Sequence, residues 1–184
     1  ASENTGNMWV NAGGEFSGWN VNVLYMTNDG DNAATGIDIS GEVMGAGISA
    51  SMNTDFNENT MRVIGLSYAV NDDMDVNASQ TVYSEDGAFN MVGTDMDGSW
   101  LATGGMGYLN AGDEDLAFGL TYNMAGISMG ATMHKVTNTL DDAYARDVME
   151  VSLGYSLGDN AALGVRYATD EDDKYTWLTL TVTP

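Results

Sequence analysis

Acidic side chains are the most frequent chemical groups in this sequence, and they gather in short clusters. The 184-residue chain carries 27 Asp and Glu against 5 Lys and Arg, a net charge of −22. Carboxylate oxygens are the ligands that Ca²⁺ prefers, so these clusters could hold that ion weakly. None follows the fixed spacing of an EF-hand loop, and a solvated, self-repelling loop surface is the stronger interpretation. The Ca²⁺ candidates are Asp113, Glu114, Asp115, Asp170 and Asp172.

The sequence gives little support to enzymatic or zinc chemistry. It has one His, His134, and no Cys, so an ordinary zinc site built from His and Cys cannot form. No G-x-S-x-G motif occurs, and His134 has no evident nucleophile as a partner. We therefore expect a protein that is not an enzyme and has no cofactor beyond weak Ca²⁺. The strong negative charge also disfavours nucleic acid as a partner.

Between the polar groups, apolar residues recur with a period of two. In 147–157, Met149, Val151 and Leu153 alternate with Glu150 and Ser152, which indicates a β-strand with one apolar and one polar face. The pattern returns in nearly every segment, and we expect one all-β domain over 1–184, an antiparallel up-and-down meander of about 12–13 strands. The predicted strands are 8–16, 19–25, 37–43, 48–52, 64–70, 76–82, 89–94, 100–109, 116–124, 127–133, 147–157, 161–168 and 175–183.

The strand lengths and the connections predict that the apolar face meets lipid. Alternation over about nine to eleven residues matches the span of a tilted transmembrane strand. Short connections such as 125–126 and 158–160 alternate with longer, acidic ones such as 139–146 and 169–174. Outer-membrane barrels have this rhythm, with short turns inside and longer loops outside. We therefore expect a transmembrane β-barrel in the cell outer membrane. Aromatic residues near strand ends would form its interfacial girdles: Trp19, Trp100, Tyr108, Tyr155, Tyr167 and Tyr175.

Charged residues on the polar face would then line a lumen. Arg166 comes near Glu150 across the hairpin in some registers, and it could either help to create a transverse field or simply pair with a carboxylate. His134, also on the polar face, is interpreted as a lumen or rim residue. The pore-lining candidates are Arg166, Glu150, His134, Glu42 and Asp38.

Three strand–turn–strand segments resemble repeats of the Gram-negative general porins. They are VIGLSYAV-NDDMDVNASQTVY, LAFGLTYNM-AGISMGATMHKV and VMEVSLGYSL-GDNAALGVRYATDEDD. The acidic, Lys-poor composition is similar to that of the alphaproteobacterial members. The resemblance implies a water-filled barrel that is commonly a homotrimer and passes small hydrophilic solutes. It also implies sixteen strands in a complete barrel.

The function predicted from the sequence is a passive, weakly cation-preferring channel, because fixed negative charge concentrates cations. Two alternatives remain open: a structural or surface barrel without conductance, and a secreted acidic Ca²⁺-binding β-protein. The first predicted strand starts on the long-loop side and the last ends on the short-turn side. The number of strands is therefore odd, whereas single-chain bacterial barrels have an even number. Either the weak strand near 88–95 is absent, or the chain is the C-terminal part of a larger barrel.

Overall fold

The computed structural model describes residues 8–27, 33–87, 89, 109–158 and 160–182. They form one antiparallel sheet of eleven strands whose order in space follows the order along the chain. This confirms the all-β, up-and-down meander. In these ranges the structure has no helix with the length and hydropathy needed to cross a membrane. The strands are β1 (Met8–Phe16), β2 (Trp19–Thr27), β3 (Ala33–Val43), β4 (Ala46–Thr54), β5 (Thr60–Asn71), β6 (Met74–Tyr83), β7 (Asp113–Met124), β8 (Ile127–Asn138), β9 (Ala145–Ser156), β10 (Ala161–Asp170) and β11 (Asp173–Val182).

The strands predicted at 89–94 and 100–109 fall outside the described residues, apart from Phe89 and Leu109. The structure does show how the chain continues on either side of them. Strand β6 pairs directly with β7, with Thr81 opposite Asp115. Residues 84–112 therefore connect two neighbouring strands of the sheet.

Three of the hairpin turns at one end of the sheet share a backbone geometry. In the β1–β2, β3–β4 and β7–β8 turns, both turn residues have positive φ, for example 48° at Ala125 and 82° at Gly126. This backbone matches the right-handed twist of the flanking strands, and it favours Gly at the second position. Gly18, Gly45 and Gly126 all occupy that position. We call this end of the sheet the short-turn end, and the other the long-connection end.

At the long-connection end the strands extend further than the sequence predicts. Strand β3 begins at Ala33, four residues before the predicted strand 37–43, and β9 begins inside the predicted loop 139–146. The prediction of an acidic loop over 169–174 is wrong. Asp170 pairs with Asp173, so that only residues 171–172 form the turn. Acidic residues occur at strand ends as well as in loops, so composition alone does not separate the two.

Cross-strand pairing divides the sheet into two chemically different faces. Leu153 pairs with Met129 and Val165, whereas Ser152 pairs with Gly130 and Arg166. We call the face of Leu153 the outer face and that of Ser152 the inner face. Large apolar side chains project from the outer face, where Phe118 is 54% and Leu178 73% exposed. The inner face is dominated by small and polar residues, as the alternation predicts.

A row of aromatic residues lies on the outer face near the short-turn end. Phe16 ends β1 and Trp19 begins β2, and the ring of Trp19 covers Gly41 on β3, where an added Cβ would lie 2.6 Å from it. Tyr68, Tyr122 and Tyr155 continue the row on β5, β7 and β9. The sequence also predicts that Tyr175 is a girdle residue. This prediction is wrong, because Tyr175 pairs with Ala168 and projects from the inner face. Trp100 and Tyr108 lie outside the described residues.

Apolar residues also gather on the inner face, near the long-connection end. Val136 and Val148 are fully or almost fully buried there, and Phe89 and Leu109 are 7% and 4% exposed. The two ends of segment 84–112 thus pack against the inner face. The edge of Phe89 meets the ring of Tyr83 with centroids 6.2 Å apart. The buried members of this inner apolar cluster are Ala34, Met61, Tyr83, Phe89, Leu109, Val136, Val148 and Ala168.

Candidate functional site

All five residues predicted to line a lumen lie on the inner face. Asp38 and Glu42 project from β3, where they pair with Ser51 and Gly47 of β4. The other three candidates, His134, Glu150 and Arg166, project from β8, β9 and β10. Strict alternation along each strand explains the agreement, since every second residue of a strand faces the same side.

Two Arg–carboxylate ion pairs and one His–carboxylate contact lie on the inner face of β7–β10. His134 Nδ1 is 2.8 Å from Asp115 Oδ2, and Arg166 Nε is 3.1 Å from Glu150 Oε1. The second contact is the pairing that the sequence offered as an alternative for Arg166. The third pair joins Arg146 Nε to Asp170 Oδ1 at 3.4 Å.

Sequence reasoning missed Arg146, because it placed this residue in the loop 139–146. The signal was present, since Arg146, Val148 and Glu150 continue one period-two series into β9. Tyr144, in the connection before β9, packs against the inner apolar cluster. Burial raises the pKa of the Tyr144 phenol, and the nearby Arg146 guanidinium partly opposes that rise. Tyr144 is therefore neutral at ordinary pH.

The inner face of β1–β6 carries carboxylates with no inward cation among them. Arg62 is the one Lys or Arg in these six strands, and it lies on the outer face because its neighbour Met61 lies on the inner one. A groove of about 380 Å³ is lined by Glu15 and Asp38, and one of about 560 Å³ by Glu42. Asn22 Nδ2 donates to Asp38 Oδ2 across 3.4 Å. The carboxylates of β1–β6 thus face no inward Lys or Arg, whereas Asp115, Glu150 and Asp170 on β7, β9 and β10 each have a His or Arg partner.

Glycines leave little side-chain bulk on the inner face, and in several places a polar side chain from the paired strand fills the space above them. Gly119 pairs with Asn77, and a Cβ added at Gly119 would lie 2.5 Å from Asn77 Oδ1. Gly65 pairs with Ser49 in the same way, with a Cβ-to-Oγ distance of 2.6 Å. Such pairs present amide and hydroxyl groups to the space above the sheet, so the surface is polar without being bulky.

The five Ca²⁺ candidates are not brought together. Asp113 and Asp115 lie on the inner face of β7, whereas Glu114 between them faces outward. Asn138 Nδ2 donates to Asp113 Oδ1 at 2.7 Å, so this carboxylate already has a partner. Asp115 and Asp170 are held in the contacts with His134 and Arg146 described above, and Asp172 is in the β10–β11 turn. Within the described ranges, no three His, Cys, Asp or Glu residues are grouped to hold a metal ion.

Comparison with solved structures identifies the architecture. A multiply substituted porin of Rhodobacter blastica aligns over 96% of this chain and 54% of its own, with a TM-score of 0.68 and 14% identity. The KdgM porin aligns over 97% of this chain and 92% of its own, with a TM-score of 0.53 and 11% identity. A further structure is that porin in complex with disordered oligogalacturonate, at a TM-score of 0.51 and 12% identity.

By sequence, no protein-family model and no curated protein matches the chain. The chain spans about half the length of the Rhodobacter blastica porins that it resembles. At these identities the likeness shows the fold alone. The described chain therefore has a porin-like fold.

Proposed function

We propose that this chain forms the wall of an outer-membrane channel through which small hydrophilic solutes diffuse passively, with a weak preference for cations. The observation that carries the proposal is the contrast between the two faces of one continuous meander. The outer face exposes large apolar side chains on ten of the eleven described strands, all except β6, and the inner face carries Gly, Ser, Thr and Asn beside charged residues. Strands of 9 to 12 residues are long enough to cross a bilayer when tilted.

The cation preference is inferred from the distribution of charge on the inner face. Carboxylates of Glu15, Asp38 and Glu42 face the same side without an inward Lys or Arg in β1–β6. Fixed negative charge along a polar passage raises the local concentration of cations and lowers that of anions. The effect is weak where the passage is wide, because salt screens charges over about 8–10 Å.

The test is a planar-bilayer recording with the purified full chain in detergent. We expect discrete conductance steps and, in a KCl gradient, a zero-current potential of the sign that potassium selectivity gives. Conductance steps with anion selectivity would contradict the inferred cation preference but would still support a channel.

Two other outcomes would replace the channel. A chain that resists unfolding in unheated SDS but gives no steps is a structural barrel without conductance. The inner apolar cluster, which includes Phe89 and Leu109, favours that second candidate, because it occupies part of the inner side. A chain that fractionates without detergent is not a membrane protein, and the secreted acidic protein would then be the better description.

A further inference from the structure

An open groove of about 470 Å³ lies on the inner face of β8–β11, in the half of the sheet that holds the ion pairs. This volume is within the range of roughly 300–1,000 Å³ that small-molecule sites occupy. The groove combines an aromatic side chain with a few hydrogen-bonding groups, as such sites do, and its floor is glycine.

The aromatic wall is the indole of Trp177. Its ring stacks on Tyr175, with centroids 5.9 Å apart and planes 12° from parallel. The groove is lined by Trp177 and Thr179 but not by Tyr175. Tyr175 therefore covers one face of the indole and takes no part in the groove, which the indole borders. Tyr175 and the inner apolar cluster hold the indole in place.

The floor is a glycine pair, Gly154 of β9 opposite Gly164 of β10. Most inner-face glycines have a polar side chain over them, as Asn77 lies over Gly119, but these two do not. A Cβ added at Gly164 would find its nearest neighbours 3.9 Å away, in Thr179, and one added at Gly154 would find Ser128 at 3.7 Å. Crowding does not require glycine at either position, and together they leave a flat space beside the indole.

The polar lining carries donors but little net charge. Arg166 Nε is already 3.1 Å from Glu150 Oε1, so the two charges compensate each other. A guanidinium has five N–H donors, and the Arg166 side chain remains 39% exposed. The hydroxyls of Ser152 and Thr179 lie at the same groove. This set suits a ligand with many neutral hydroxyl groups, and the net charge of −22 disfavours an anion.

We propose that this groove is a subsite for one ring of a neutral oligosaccharide. The apolar C–H face of the sugar would lie on the free face of Trp177 above Gly154 and Gly164, because an aromatic face attracts polarised C–H groups. The ring hydroxyls would bond to Arg166, Ser152 and Thr179. The proposal names a class of solute for the channel. Transport of that solute rests on the proposed function, whereas its binding to the groove does not.

Binding is tested by isothermal titration of maltohexaose, a neutral oligosaccharide, into the full chain in detergent, with hexagalacturonate as the acidic comparator. We expect maltohexaose to bind more tightly than hexagalacturonate. Trp177→Leu should weaken binding about tenfold, since it removes the stacking face, whereas Trp177→Phe should stay within about threefold. Gly164→Val, which fills the floor, should weaken binding at least as much as Trp177→Leu. Tyr155→Leu on the outer face is the matched control and should leave the affinity unchanged.

Three results would overturn the subsite: no binding of maltohexaose to the unsubstituted chain, equal affinity in Gly164→Val, or tighter binding of hexagalacturonate. Gly164→Val also decides the matter if Trp177→Leu fails to fold, because its Cβ has room. Bilayer recordings with the same protein separate this inference from the proposed function. Binding of maltohexaose without conductance steps would support the subsite and contradict the channel. Conductance steps without binding would support the channel and contradict the subsite.

Discussion

At the scale of single residues, the glycines of the inner face differ in what surrounds them. A Cβ added at Gly119 would lie 2.5 Å from Asn77 Oδ1, whereas one added at Gly164 would lie 3.9 Å from its nearest neighbour, Thr179. We expect Gly119→Ala to lower the free energy of unfolding by about 0.5–1 kcal/mol, because the exposed Asn77 amide must rotate out of its preferred position. Gly164→Ala should be neutral or stabilising by up to about 1 kcal/mol, since alanine loses less backbone entropy in a strand. Guanidinium unfolding in detergent compares the two, and equal effects would contradict the crowding at Gly119.

The inner carboxylates of β3 give a second prediction at the residue scale. The double substitution Asp38→Asn, Glu42→Gln should lower the cation-to-anion permeability ratio by roughly a factor of two, because charges screened by salt act through only a few tenths of a kcal/mol. The zero-current potential in a KCl gradient reports the ratio. Glu114→Gln, which removes an outward charge on β7, is the control and should leave the potential unchanged. A larger shift from the control than from the double variant would place the selective charges elsewhere.

At the scale of elements, the two-residue turns define the hairpins. Gly126 has φ = 82°, a region in which a Cβ costs about 1–2 kcal/mol. Gly126→Ala should therefore destabilise the folded chain by about that amount, and it should slow refolding into detergent if the β7–β8 hairpin forms early. Ala125, at φ = 48°, is the matched position. Ala125→Asn should stabilise by about 0.5 kcal/mol, because Asn tolerates this conformation better. A neutral Gly126→Ala in a melting experiment would mean that the turn relaxes freely.

At the scale of the whole molecule, the question is which solvent meets the outer face. Leu153 lies in the middle of β9 and is 47% exposed. If lipid surrounds it, Leu153→Arg should cost about 2–4 kcal/mol and reduce insertion into vesicles. If water surrounds it, the change should stay within about 0.5 kcal/mol. Thr179→Arg on the inner face is the control and should insert normally in the membrane case. The comparison separates a channel wall from a water-soluble sheet without any conductance measurement.

The sequence by itself determined the two faces and the charge. Period-two alternation is a local property of each strand, so it placed Asp38, Glu42, His134, Glu150 and Arg166 on one side before any strand was paired. It could not separate a strand end from an acidic loop, because acidic residues occur in both, and so it misplaced 169–174 and overlooked Arg146.

The tertiary structure decided what depends on pairing between strands. Only the register of β10 with β9 and β11 brings Gly154 opposite Gly164 and Arg166 opposite Trp177. Only the direct pairing of β6 with β7 makes 84–112 a connection between neighbours whose ends, Phe89 and Leu109, pack on the inner face. These contacts follow from the register and the order in which strands pair, and the alternation along a single strand specifies neither.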